Sequence, residues 1–183
     1  MQQQPERDDE NLYAAWVAGD PAAFDALYAR YRQSLFLFLL RRGHERSQAE
    51  DLFHDCWMKV IQHSEAFDGE NFRAWIFTLV RNLSIDRFRQ LARHQTTEAD
   101  SLDTEAVASA STQRVQEERD CIELMKSGIA ALPMDQRDAF LLKEEAGLGL
   151  MQLAEVMQVG RETIKSRLRY AMQRLRSVLE DCL

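Results

Sequence analysis

The residues best equipped for chemistry lie between Arg161 and Tyr170. Arg161, Thr163, Lys165, Ser166, Arg167, Arg169 and Tyr170 all carry side-chain hydrogen-bond donors. Ile164, Leu168, Ala171 and Leu175 recur at intervals of three and four, which predicts a helix with these four turned inward and the donors mostly outward. Guanidinium, ammonium and hydroxyl groups on an exposed helix face match the phosphates and base edges of a DNA major groove. A solvated basic helix would carry the same charges, so the neighbouring elements have to decide between the two. Just upstream, Leu150, Leu153, Ala154 and Met157 predict a second short helix, and Gln158, Val159 and Gly160 leave room only for a tight turn. Two short helices joined in this way form a helix-turn-helix.

A second set lies in FRAWIFTLVRNLSIDRFRQLARH, where Phe72, Ile76, Leu79 and Leu83 form the core stripe of a predicted helix. Arg73, Arg81, Asn82, Arg87, Arg89 and Arg93 lie mostly off that stripe, with Phe77 and Phe88 interleaved among them. Arginines alternating with aromatic rings suit unpaired nucleic acid, because the rings stack on bases and the cations neutralise the backbone. Packing of the rings against a neighbouring helix explains them as well. A third set is acidic. In QAEDLFHDCWMKVIQH, Leu52, Phe53, Trp57, Val60 and Ile61 form the inward face and leave Glu50, Asp51, His54, Asp55 and Lys59 outside, with Trp57 and Met58 near the edge. Such a face is either simply solvated or a docking surface for a basic partner.

No glycine-rich phosphate loop, G-x-S-x-G, H-E-x-x-H or CxxC occurs, and His44, His54, His63 and His94 are scattered through polar surface or helix ends. The chain is therefore read as a non-enzyme with no metal and no cofactor. Cys56, Cys121 and Cys182 are widely spaced and expected to be reduced. No apolar run reaches the roughly 18 residues of a membrane span, and the polar, acidic start MQQQPERDDEN is unlike a signal peptide, so the expected location is the cytosol without membrane insertion.

The net charge of -7 over 183 residues is unusual for a nucleic-acid binder, but its distribution is informative. Residues 72–94 carry +4 and residues 161–176 carry +5, which leaves -16 for everything else. An acidic body with two basic stripes touches DNA in two places and is repelled elsewhere, so a partner is expected to help it bind.

The elements that position these residues read as helices throughout. Asp9 is expected to cap a first helix with Leu12, Trp16 and Val17 inward, ended by Gly19. Asp20 and Pro21 open a long core helix that stops at Gly43, and Ser47 with Glu50 reads as a capping box for the acidic helix. Residues 64–71 form a loop. The stretch 96–120 is small, polar and acidic, and is expected to be a flexible linker, with a helix resuming near Gln113 and carrying Cys121, Ile122, Met125 and Ile129 inward. Pro133 ends that helix, Asp135 is expected to cap the next, and Gly147 and Gly149 precede the helix-turn-helix. The fold class is all-α: two small helical domains, 1–95 and 121–183, joined by the flexible acidic linker 96–120, with the helix-turn-helix in the second.

With these stretches in place, the chain resembles the extracytoplasmic-function group of bacterial sigma factors. GDPAAFDALYARY, AEDLFHDCWMKV, FRAWIFTLVRNLSIDRFRQ, and LPMDQRDAFLL with TIKSRLRYAMQRLR are similar to the family's segments and stand in the family's order. The resemblance implies a subunit that binds core RNA polymerase, directs it to particular promoters and assists melting. It implies that Glu50, Asp51, His54, Asp55 and Lys59 dock on the β′ clamp coiled coil, and that the β flap meets the second domain. It implies that Phe67, Asn71, Arg73, Phe77, Arg81, Asn82 and Arg87 capture the unpaired minus-ten element, whose bases cost a few kcal/mol each to flip. Arg161 to Tyr170 would read the minus-thirty-five duplex, the linker would run toward the RNA exit path, and an anti-sigma factor is a further partner of such proteins. His54 and Asp55 stand where the family usually has Gln-Glu. Gln158 replaces a frequent glycine, so a left-handed backbone or a reshaped turn is expected there, and Gly160 stands where serine or proline is common. The competing reading is an autonomous helix-turn-helix regulator whose N-terminal helices sense a signal or dimerise.

Overall fold

The computed structural model describes residues 8–95 and 113–180. In order, the elements are α1 (Asp9–Val17), α2 (Pro21–Arg42), α3 (Arg46–Gln62), a short 3-10 turn (Ser64–Ala66), α4 (Phe72–Gln95), α5 (Gln113–Ala130), α6 (Met134–Glu144), α7 (Leu150–Met157) and α8 (Arg161–Leu179). Among the described residues there is no strand.

Where one residue type alone could fill a role, the local signals act as expected. Asp20 accepts a hydrogen bond from the Ala22 amide at 3.1 Å, Pro21 occupies the first turn of α2, and Gly43 closes the helix at φ 112°, a left-handed conformation that a Cβ disfavours. Where several residues compete, the structure selects a different one. Asp8, not Asp9, caps α1, accepting from the Asn11 amide at 2.8 Å, and this frees Asp9 to bind Arg30 and Tyr31 of α2. The Ser47–Glu50 capping box does not form. The helix starts earlier, at Arg46 after Glu45, and Glu50 pairs instead with Arg46 at 3.0 Å. Asp135 likewise lies inside the first turn of α6, behind the capping position at Pro133.

The N-terminal helices close around aromatic rings. Tyr13 packs on Phe67, Phe72 and Trp75 with centroids 4.8 to 6.0 Å apart, and Trp57 packs on Phe24 and Tyr28. Val17, Ile61 and Ile122, all expected inside, are exposed. In the C-terminal half, Leu153, Met157, Ile164, Ala171 and Leu175 are buried as the periodicity requires, and α8 packs on α5, α6 and α7.

The two halves do not stand apart. Helix α6 packs on α2 and α7 on α4, and the buried apolar side chains of both halves form one cluster. Residues 96–112 of the expected linker lie outside the described residues. From Gln113 the backbone is already helical, as expected for the resumed helix. Cys56 is free and buried, and burial pushes its thiol up to about 12. Cys121 is disulfide-bonded, contrary to the expectation that all three cysteines are reduced, since spacing along the chain says nothing of proximity in the fold. Cys182 lies outside the described residues.

Candidate nucleic-acid and polymerase interface

Helix α3 presents Glu50, Asp51, His54, Asp55 and Lys59 to solvent on one side. Trp57, placed on the inward face near its edge, is buried in the aromatic core as expected there, whereas Met58 is exposed in the same stripe as Asp51, His54 and Asp55. An acidic face with an apolar residue in its middle is better suited to a basic partner than a purely charged one, because burying Met58 adds a hydrophobic contribution. A groove of about 250 Å³ runs between α3 and α4, bordered by Asp51, Asp55 and Lys59 on one side and by Asp86, Arg87 and Gln90 on the other. The acidic helix and the arginine-rich helix therefore share a border.

Along α4 the structure sorts the expected minus-ten residues. Arg73 and Asn82 are exposed and Arg87 is half-buried in the groove wall. Phe77 is 0% exposed, edge-on to Phe38 at 5.7 Å, so it packs the core and meets no base. Phe67 is buried in the Tyr13 cluster. Phe88 stacks on His44 at 4.1 Å and 14°. Phe77 and Phe88 fall off the simplest apolar stripe because α4 is contacted by several helices, α1, α2, α3 and α7 among them. Asn71 serves the backbone. At φ 52°, a conformation that asparagine tolerates better than most residues, it accepts the Ala74 amide on its side chain at 3.2 Å and starts α4. Arg81 is half-buried and donates to Asp138 at 2.9 Å.

On α8, Arg161, Thr163, Lys165, Arg169 and Tyr170 are exposed, and Ser166 and Arg167 are half-buried. Of the two outcomes open at the turn before it, a left-handed backbone or a reshaped turn, the first occurs: Gln158 has φ 54° and ψ 44°. Gly160 precedes α8 in an extended conformation without a side-chain cap. Several donors are already engaged. Lys165 pairs with Glu162 at 2.7 Å, Arg169 lies over the Tyr170 ring at 5.0 Å, and Arg167 reaches Asp135 of α6 at 2.5 Å.

The family model for Sigma-70 region 2 matches residues 27–94, and that for Sigma-70, region 4 matches residues 128–177. The chain belongs to the sigma-70 family. It is an alternative sigma factor of the extracytoplasmic-function group, which directs RNA polymerase to promoters; it is neither an enzyme nor an autonomous regulator. Among its relatives, the ECF RNA polymerase sigma factor SigL of Mycobacterium tuberculosis is 28% identical over 167 residues, covering 90% of this chain and 93% of the relative. The ECF RNA polymerase sigma factor SigM of Bacillus subtilis is 27% identical over 157 residues, covering 84% and 93%. The sigma factor RpoE from Bartonella quintana, solved in complex with the anti-sigma factor NepR, matches with a TM-score of 0.70 at 27% identity, covering 86% of this chain and 96% of that one. CnrH, solved with the cytosolic domain of CnrY, shares the fold with a TM-score of 0.68 at 23% identity, covering 94% and 97%.

Reading this sigma factor as a sequence passes over the polar cluster behind α4. Arg42 and Asp138 are each 1% exposed. Arg42 grips Asp138 with Nε at 2.6 Å and Nη2 at 3.0 Å, and its Nη1 donates to Ser84, which also meets His44 Nε2. His44, expected on polar surface or at a helix end, follows the end of α2 but is buried, and burial pulls its pKa down to about 4. Its folded pKa thus lies below the unfolded value near 6.5, so the stability this neutral ring supports is complete above pH 6.5 and lost as the pH falls toward 4. We expect a loss on the order of 2–3 kcal/mol across that window. Urea unfolding at pH 7.5 and pH 4.5 checks it, with His44→Gln showing a smaller pH dependence than wild type.

Proposed function

We propose that the exposed face of α3 docks on the clamp coiled coil of the polymerase β′ subunit through Glu50, Asp51, His54, Asp55 and Lys59, with Met58 at its centre. The shared groove between α3 and α4 carries this reading: a helix held on the clamp by its acidic side brings Arg87, and beyond it Arg73, Arg81 and Asn82, to the DNA strand alongside. These four take the minus-ten element, and the core-packed Phe67 and Phe77 and the capping Asn71 keep α4 in place. Helix α8 enters the major groove of the minus-thirty-five element with Arg161, Thr163, Lys165, Ser166, Arg167, Arg169 and Tyr170. The C-terminal domain, 121–183, meets the β flap, and the segment 96–120 joins it to the N-terminal domain, 1–95. A factor that works on core polymerase works in the cytoplasm. Because RpoE is solved with NepR, an anti-sigma factor is a natural further partner.

Arg167→Ala tests the upstream contact. The side chain is partly exposed and its ion pair with Asp135 is a surface pair, so the fold loses less than about 1 kcal/mol. A base contact of this kind contributes roughly 1–3 kcal/mol. Holoenzyme carrying the variant should bind duplex upstream DNA correspondingly more weakly in a fluorescence titration while the protein melts at the wild-type temperature. Unchanged binding would remove Arg167 from the reading face.

A further inference from the structure

Of the cations proposed to read the upstream element, Arg167 is the one that, among the described residues, another helix holds. Its Nη2 donates to Asp135 Oδ2 of α6 at 2.5 Å, and the arginine side chain is 20% exposed against 60% for the aspartate. Lys165 by contrast pairs with Glu162 on its own helix, both of them exposed, and Arg169 lies over the ring of its neighbour Tyr170. An acid in the first turn of a helix is ordinary, since the helix dipole favours it there. Asp135 is set apart by its partner: it leaves the start of α6 without a side-chain cap and reaches across to α8.

We infer that Asp135 is a positioning residue for promoter recognition: it orients the Arg167 guanidinium so that this side chain selects guanine at one base pair of the minus-thirty-five element. The inference rests on the reading of α8 proposed above. A guanidinium carries five N–H donors in a rigid fork, and the ion pair takes one. Nε and Nη1 meet no partner among the described residues, which leaves enough donors for O6 and N7, the two acceptors that guanine alone shows side by side in the major groove. An unheld arginine can turn toward a phosphate as readily as toward a base, and then it adds affinity for any sequence. Held from the side by a carboxylate, it has already lost much of the rotamer freedom that a base contact would remove. The fold has little need of the pair, because an ion pair with one end this exposed contributes little stability. A carboxylate beside the groove also repels the DNA backbone whatever the sequence. Removing it therefore has two effects of opposite sign, looser selection and tighter non-selective binding, which the loss of a merely structural contact would not combine.

The test uses holoenzyme assembled from core polymerase and the full chain, with duplexes built on a promoter that it transcribes in vitro and randomised over six base pairs around minus thirty-five. Sequencing the bound fraction gives the base preference at each position. Arg167→Ala should flatten one position, where the wild type prefers guanine by roughly tenfold or more. Asp135→Ala should cut the preference at that same position by about fivefold, the worth of pre-ordering one long side chain, and leave the other five as they are. Binding to an unrelated duplex should strengthen, and the melting temperature should stay at the wild-type value because the side chain is exposed. In the Arg167→Ala background, Asp135→Ala should change no preference further. An unaltered preference in Asp135→Ala, or an equal loss at every position together with a lower melting temperature, would overturn the positioning role. If Arg167→Ala itself flattens no position, the reading face proposed for α8 is wrong and the inference falls with it. If it flattens one that Asp135→Ala leaves intact, that face stands and the positioning role alone fails.

Discussion

Replacing Ile164 with aspartate is expected to unfold the C-terminal half. Ile164 is 0% exposed on the inner side of α8, where that helix packs on α5, α6 and α7. Truncating a buried isoleucine costs about 2–5 kcal/mol through lost contacts and the cavity left behind. An unpaired carboxylate at the same place adds a desolvation cost of several kcal/mol or stays protonated at similar expense. The sum approaches the whole stability of an ordinary domain, about 5–15 kcal/mol. Far-ultraviolet circular dichroism on heating should show reduced helicity at 25 °C and a broadened transition, while Ile164→Val should lose only about 0.5–1.5 kcal/mol. A wild-type melting curve for the aspartate variant would overturn the packing of α8.

The second large effect is on α3. Asp51→Arg combined with Asp55→Arg changes the charge of the α3 face by four units without touching the core, since both side chains are exposed. If that face meets a basic coiled coil, attraction becomes repulsion, and like charges set against each other in an interface cost several kcal/mol. An affinity loss of about a thousandfold or more is expected, enough to abolish co-purification with core polymerase. The variant should melt as wild type does, because exposed substitutions of this kind change stability by about 0.5 kcal/mol or less. Co-purification at the wild-type level would show that α3 docks elsewhere or not at all.

How far such conclusions could be drawn from the sequence depends on the range of the interaction involved. Helix α2 announces itself through neighbours in the chain: Asp20, Pro21 and Gly43 each favour one conformation, and the structure uses all three. The helix-turn-helix is legible for the same reason, although only the structure decides that Gln158 is left-handed rather than the turn reshaped. Caps failed where acids crowd together, because Asp8 and Asp9 are equally able to accept an amide and only the reach of Arg30 and Tyr31 to Asp9 decides between them. Phe77 and Phe88 resembled stacking rings because a single stripe was drawn on a helix with several packing partners. Arg42 and Asp138 lie 96 positions apart, and no periodicity links them. An arginine at a helix C-terminus and an aspartate near an N-terminus both look like ordinary solvated charges favourable to the helix dipole. Their burial follows only from the docking of α6 on α2, a tertiary event that neither segment encodes alone.

The most direct test of the sigma reading is transcription in vitro from a library of genomic fragments, with core RNA polymerase alone and with the protein added. We predict start sites that appear only when both are present and that share two short upstream elements near minus ten and minus thirty-five. Identical start sites with and without the protein, together with tight binding of the protein alone to duplex DNA, would contradict the account.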